Sequence, residues 1–200
     1  MKFSTFFVFS TALLALCLML VFRCRRQKIR IQTLEQRLQQ EHRLAHTDPL
    51  TGLSNRAAYE ERLDLLTDRH SGADICCVVL DADRFKSVND ENGHHAGDIA
   101  LQNIACTLQK IFNEDDDHEL FRIGGDEFAL ILHGLSPAET TARLSLVNML
   151  LHRRSIELGI ELSVSAGRAF LGEQGVHTVR DAFGLADRRM YLCKKSASKV

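Results

Sequence analysis

The chain has 200 residues, of which 45% are apolar and 26% charged, with a net charge of −1. That length holds one sizeable core and a short appendage, and the charge fraction excludes a mostly membranous protein. The even balance gives no reason to expect a nucleic-acid partner, so any polyanion has to be bound locally.

The first element is Phe3 to Phe22, "FSTFFVFSTALLALCLMLVF", 20 residues without a charge. As a helix it measures about 30 Å, enough to cross a bilayer core. Arg23, Arg25, Arg26, Lys28 and Arg30 crowd one flank and Lys2 alone stands on the other, which predicts a cytoplasmic remainder. A cleaved signal peptide fits less well, because no small-x-small site precedes the basic cluster, and Leu16 stands where a lipoprotein site wants a small residue. The expectation is a single-pass anchor in a bacterial inner membrane over residues 1–22. A basic flank and helical linker follow over 23–46, and a cytoplasmic domain over 47–200. Within the linker, Ile31, Leu34 and Leu38 recur at 3–4 spacing, a short coiled-coil seam or a lone amphipathic helix.

"TDPLTGLSNR", 47–56, punctuates the chain, with Ser54 or Asn55 available to cap the next helix. The periods then predict a helix over 57–69 and a strand over 74–83 that is apolar throughout its centre. A helix over 97–112 follows, then strands over 119–123 and 127–132. A helix over 137–157 opens on Ser136-Pro137-Ala138-Glu139, a capping box with Pro at N1. A strand over 160–170 and a helix over 179–194, opened by Thr178 and Asp181, complete the domain. The order βαββαβ is a ferredoxin-like α+β arrangement. The six cysteines (Cys17, Cys24, Cys76, Cys77, Cys106 and Cys193) contain no CxxC pair. Reduced, mostly buried thiols are expected, not a disulfide framework or a zinc site.

In that topology the third strand lies between the first and second, antiparallel to the first. Asp126 and Glu127, in "FRIGGDEFALIL", then come beside Asp81-Ala82-Asp83. Carboxylates gather in this way around a hard cation, and Mg²⁺ suits a shallow oxygen cluster. The alternative is a solvated turn near unrelated exposed acids.

From about Asp48 to Lys194 the chain resembles the GGDEF domain of bacterial diguanylate cyclases. The resemblance rests on "DPLTGLSNR" (48–56), "DADRFKSVND" (81–90), "GHHAGD" (93–98), "RIGGDEF" (122–128), "SAG" (165–167) and "ADRRMY" (186–191), in order. It implies a nucleotidyl-cyclase palm in which two GTP condense to cyclic di-GMP and two pyrophosphates, one GTP on each subunit of a homodimer. It further implies two Mg²⁺ per site, with Mn²⁺ as an alternative, on Asp81, the Ala82 carbonyl, Asp126 and Glu127. Asp126 would lie closest to the attacking 3′-hydroxyl, and Lys86 and Lys194 would meet phosphates. Gly124 and Gly125 would leave room for the triphosphate and supply permissive turn dihedrals. Asn89 and Asp98 suit the guanine edge, whose N1–H and N2–H₂ donors adenine lacks; Asp98 facing adenine in a buried site would be left unpaired. His94 would cap the loop near ribose or base.

Two departures from the family pattern stand out. An inhibitory Arg-x-x-Asp site is expected to be absent, because no arginine lies between Lys110 and Arg122 and "NEDDDHELF" is acidic. The tail "KKSASKV" has Ser198 where the family carries an arginine, which weakens the expectation for GTP affinity. The rival reading is a silent GGDEF domain that binds GTP or a partner without turnover.

Overall fold

The computed structural model describes residues 2–67, 74–112 and 117–197, with the side chains of 2–18, 21, 196 and 197 outside that description. It divides into two compact units, residues 1–45 and 46–200. The first is one helix, α1 (Lys2–His46), on which Ile31, Leu34 and Leu38 are exposed. Among the described residues no helix is long and apolar enough to cross a membrane. The expected anchor, Phe3–Phe22, falls almost wholly on side chains outside the description.

The second unit runs α2 (Arg56–Thr67), β1 (Ile75–Ala82), α3 (Phe85–Asn92), α4 (His94–Phe112), β2 (Glu119–Arg122), β3 (Glu127–His133), α5 (Pro137–Leu158), β4 (Val164–Phe170), α6 (Val179–Ala197). The strands form one antiparallel sheet in the order β2-β3-β1-β4. This is the expected ferredoxin-like order, with β3 between β1 and β2.

β1 is buried at all eight positions, because it lies between two strands and has helices over both faces. Its alternation sorts the two cores. Cys76, Val78 and Leu80 join the core beneath α3, α4 and α5, whereas Ile75, Cys77 and Val79 join the one beneath α2 and α6. Continuing the alternation, Ala82 falls on the first face, and Asp81 on the face of α6.

Both expected capping boxes form. Glu139 N–H donates to Ser136 Oγ at 3.3 Å while Ser136 N–H donates to Glu139 at 2.9 Å. Asp181 N–H donates to Thr178 Oγ1 at 3.1 Å, and Thr178 N–H returns to Asp181 at 2.9 Å. Of the two candidates before α2, Asn55 is the cap, accepting from Ala58 N–H at 3.1 Å.

Three expectations need correction. The helix α3 was not anticipated: "FKSVNDEN" is rich in Ser, Asn and Asp, which compete with helical backbone bonds, and only Val88 is fully buried. β4 begins at Val164, not at residue 160. Ile160 and Leu162 are buried and alternate like a strand, but their backbone is taken by Ser155 of α5. Its hydroxyl donates to the Ile160 carbonyl at 2.6 Å and accepts from Leu162 N–H at 3.1 Å. The thiols are not mostly buried: Cys76 and Cys77 are, but Cys24, Cys106 and Cys193 are exposed. The end of the helix expected to reach residue 69 lies outside the described residues.

α6 is pressed onto β4 at Gly167, where an added Cβ would lie 2.0 Å from the Ala186 carbonyl oxygen and 2.2 Å from Met190 N. Gly167→Ala is therefore expected to destabilise the fold by about 1–3 kcal/mol or more. Gly184→Ala, on the same helix but meeting only the tip of Arg188 at 3.8 Å, gains up to about 1 kcal/mol of helix propensity. Denaturant unfolding of the two variants should move the midpoint in opposite directions.

Candidate active site

The antiparallel register pairs Asp81 with Glu127 of β3 on one side and with Ser165 of β4 on the other. Directly paired residues share a face, so Asp81 and Glu127 lie together on the α6 side. The Ala82 amide donates to the Asp126 carbonyl at 3.0 Å, which ties the following residue to the glycine turn. Acids separated by some forty-five positions thus meet at one end of the sheet, as the sequence predicts, and Lys194 of α6 joins them through an ion pair from Nζ to Asp81 Oδ1. Lys194, expected to meet phosphate, here places its ammonium against the Asp81 carboxylate.

The electrostatics follow from that crowding. Burial pushes the Asp81 carboxyl above its usual range; the Lys194 hydrogen bond opposes this, and the charges of Asp126 and Asp83 add to it. For Lys194, burial pulls downward, but the Asp81 bond and the charges of Asp81, Asp126 and Asp83 outweigh it and raise the ammonium. An acid pushed up by burial, with like-charged neighbours adding to the push, is one that a divalent cation relieves, and the donor set is all oxygen. The residues fit Mg²⁺ on those grounds.

The glycine turn is shaped differently from expectation. Neither Gly124 nor Gly125 is among the positive-φ glycines, so permissive dihedrals do not explain them. At Gly124 an added Cβ would lie 2.5 Å from Glu127 Oε2 and 3.2 Å from Glu127 Cβ, so this glycine makes room for the Glu127 side chain. A Cβ on the exposed Gly125 would meet nothing within 4 Å, which leaves open space at the turn.

Lys86 and Asn89 ride on α3, and His94 and Asp98 on the first turns of α4. Asn89 is packed where α3 meets α4: a Cβ on Gly97 would lie 2.0 Å from Asn89 Oδ1. Lys86, His94 and Asp98 are exposed. The buried setting assumed for Asp98 in discriminating guanine from adenine is thus not found. Among the described residues, no hydrogen bond or ion pair links these four to the carboxylates.

Sequence reasoning missed the support of the turn. Arg122 Nη1 donates to both carboxylate oxygens of Asp48, at 3.0 and 3.1 Å, and Nη2 donates to the Gly125 carbonyl at 2.7 Å. Asp48 is held in turn by Thr51 N–H at 2.9 Å and Thr51 Oγ1 at 2.6 Å. The first segment of the domain thereby braces the glycine turn from 74 residues away in sequence. The quoted "DPLTGLSNR" marked a linker end but gave no signal of this contact.

The sequence profile described as diguanylate cyclase, GGDEF domain, matches residues 45–199. The chain belongs to the GGDEF family. The diguanylate cyclase DgcP of Pseudomonas aeruginosa is 35% identical over 162 residues, 80% of this chain and 24% of that protein. The diguanylate cyclase TpbB of the same species is 35% identical over 159 residues, 76% of this chain and 36% of that protein. The chain therefore spans about a quarter of the first relative and about a third of the second. Among solved structures, the coiled coil and GGDEF domain of DgcB from Caulobacter crescentus, in complex with c-di-GMP, superposes with a TM-score of 0.74. It is 27% identical and covers 88% of this chain and 95% of that one.

The Asp48–Arg122 pair is 17% and 14% exposed, and Arg122 Nε is buried without a hydrogen-bond partner. Asp48→Ala would strand that guanidinium, and a loss of about 3 kcal/mol is expected in denaturant unfolding. Burial alone would raise Asp48, but the Thr51 and Arg122 hydrogen bonds and the Arg122 charge outweigh it and lower the carboxyl below its ordinary 3.8. A depressed folded-state value contributes stability above the unfolded value, lost as pH falls through the folded one. Asp48→Asn should therefore flatten the acid limb of the stability curve below about pH 4, and leave the limb above pH 5 parallel to that of the unmodified chain.

Proposed function

We propose that the chain is a diguanylate cyclase that condenses two GTP molecules into cyclic di-GMP and two pyrophosphates. The observation that carries this reading is the meeting of Asp81, Asp126 and Glu127 beside an open glycine turn, in a chain of the GGDEF family. Two copies act together, one GTP on each. Each 3′-oxygen attacks the α-phosphorus of the opposite nucleotide, the bond from that phosphorus to the pyrophosphate oxygen breaks, and one proton leaves each hydroxyl.

Asp81, the Ala82 carbonyl, Asp126 and Glu127 would hold two Mg²⁺, or Mn²⁺ in their place. When bound, such ions supply charge neutralisation for the triphosphate and lower the pKa of a coordinated hydroxyl. Asp126 orients the 3′-hydroxyl and takes its proton. Lys86, exposed on α3, meets charge that develops on the leaving pyrophosphate. Lys194, paired with Asp81 in this structure, would meet phosphate once the substrate is bound. Gly125 admits the triphosphate because no side chain occupies its outer face. Asn89, Asp98 and His94 frame the nucleoside, and Asp98 selects guanine through its two donors when the base covers it.

We read Phe3–Phe22 as a membrane anchor, on its 20 uncharged residues and the one-sided basic flank. Carbonate-washed membranes retain the chain if so, and release it if not. We also infer that no inhibitory product site is present. Residues 110–122 carry no arginine before Arg122. His118 is buried, with Nδ1 accepting from His133 N–H at 3.2 Å, and Arg143 reaches the Ile111 carbonyl at 3.3 Å. Residues 113–116, most of the acidic run, and Ser198 lie outside the described residues.

One assay tests the reading: the full chain, purified in detergent, incubated with GTP and Mg²⁺ and its products resolved by chromatography. Cyclic di-GMP is expected, and Asp126→Ala and Asp81→Ala should each lower its rate on the order of a hundredfold. GTP that binds without yielding product favours the silent-domain alternative. In the same assay, added cyclic di-GMP should produce no inhibition other than competition with GTP.

A further inference from the structure

Asp83 is not used by the mechanism above, although it stands two residues from Asp81, immediately past the end of β1. Both of its carboxylate oxygens are engaged: Oδ2 accepts from Ser163 Oγ at 2.7 Å and Oδ1 from Ser165 Oγ at 2.6 Å. Its amide donates to the Ser163 carbonyl at 3.0 Å. Bonds of this length to a charged acceptor are among the stronger ones a fold makes. They fasten the end of β1 to the start of β4, and Ser165 is buried beneath them.

The next residue turns the chain. Arg84 has φ 52 and ψ 24 and is the one described non-glycine residue with positive φ. It precedes α3 without a side-chain cap. A residue with a Cβ holds that conformation only where its surroundings over-determine it. Here the Asp83 tie stands before it, and after it the Val88 amide donates to the Arg84 carbonyl at 3.1 Å. The helix that follows has eight residues and one fully buried side chain, Val88. So short an element has little packing of its own to set its direction.

We propose that Asp83, clamped by Ser163 and Ser165, is a positioning residue of the nucleotide site: it fixes the left-handed turn at Arg84 and so aims Lys86 and Asn89 of α3 relative to Asp81. Asp83 is thereby assigned a task other than the metal ligation given to Asp81, Asp126 and Glu127. The proposal rests on the cyclase reading for its functional consequence and on the hydrogen bonds alone for its structural one.

The test uses the full chain in detergent, with Ser163→Ala/Ser165→Ala against Ser163→Thr/Ser165→Thr, which keeps both hydroxyls. At a temperature where both are folded by circular dichroism, the alanine pair should raise the KM for GTP about tenfold. The threonine pair should stay within about twofold of the unmodified chain. A tie that is merely structural lowers Tm and leaves the KM of the folded protein unchanged, and that result overturns the proposal. Hydrogen exchange provides the arm without ligand: amides of Phe85–Asn92 should exchange about tenfold faster in the alanine pair, with those of α5 unaltered. Absence of cyclic di-GMP from the unmodified chain counts against the cyclase reading alone; unaltered α3 exchange overturns the clamp whether or not product is made. Should the buried Ser165→Thr not fold, the half-exposed Ser163 carries the same comparison by itself.

Discussion

Repulsion among carboxylates is the constraint on which the rest of this domain is arranged. Asp81, Asp126, Glu127 and Asp83 gather at one end of a four-stranded sheet, and their mutual repulsion works against that gathering. Their placement is imposed by the register of β1 with β3 and β4. A slip of one residue would turn Asp81 into the core beneath α3 to α5, and bring Leu80 to the α6 face. The apolar residues that alternate behind them make that slip prohibitive: Cys76, Cys77, Val78 and Leu80 are all fully buried. The core of the sheet thus holds the acids together, and Lys194 supplies a local cation that faces Asp81 and opposes the upward push of burial on its carboxyl.

Three devices stiffen that end of the sheet, two from the glycine turn and one from β4. Arg122 reaches back to Asp48 and forward to the Gly125 carbonyl. Its planar fork satisfies both ends at once, which a lysine could not do. Gly124 leaves room for the Glu127 side chain. Gly167 lets α6 approach β4 closely enough for Lys194 to reach Asp81. Two of the glycines therefore act through absent side chains, not through unusual dihedrals.

How much of this could be read from the sequence varied with the range of the physics involved. Among the described residues, period-two and period-3.6 patterns located the four strands and every helix but α3. The capping boxes at Ser136 and Thr178 are local four-residue signals, and both were legible. The convergence of Asp81 with Asp126 and Glu127 was legible because topology alone brings those strands together. What escaped is either short or non-local. The helix α3 has a single fully buried side chain and a polar composition, so no period marks it. The Arg122–Asp48 fork and the serine clamp on Asp83 join residues 74 to 82 positions apart, and nothing in a linear string distinguishes them from solvated polar residues. The exposure of Asp98 escaped for a further reason: a base-recognition argument presumes a covered site, and cover is a property of the ligand-bound state.

The sheet's two edges bear on how copies of this domain can meet. At β2 the edge is covered by the residues before α2, with the Arg122 amide donating to the Ser54 carbonyl at 2.8 Å and a parallel bridge from Ser54 to Phe121. At β4 the outward-facing backbone is met by side chains instead. Asn148 accepts from Val164 N–H and donates to its carbonyl, both at 2.9 Å. Glu173 accepts from Phe170 N–H at 2.8 Å, and Arg189 donates to the Arg168 carbonyl at 2.7 Å. Groups satisfied in this way do not template another strand, which is how folded proteins avoid edge-to-edge growth. These contacts close parts of both edges to a second copy, and the face-to-face pairing in the proposed reaction would be made by side chains around the acidic end. Association then gains from any further segment that raises the local concentration of one copy near another. The exposed stripe of Ile31, Leu34 and Leu38 on α1 has the 3–4 spacing that such a segment would need.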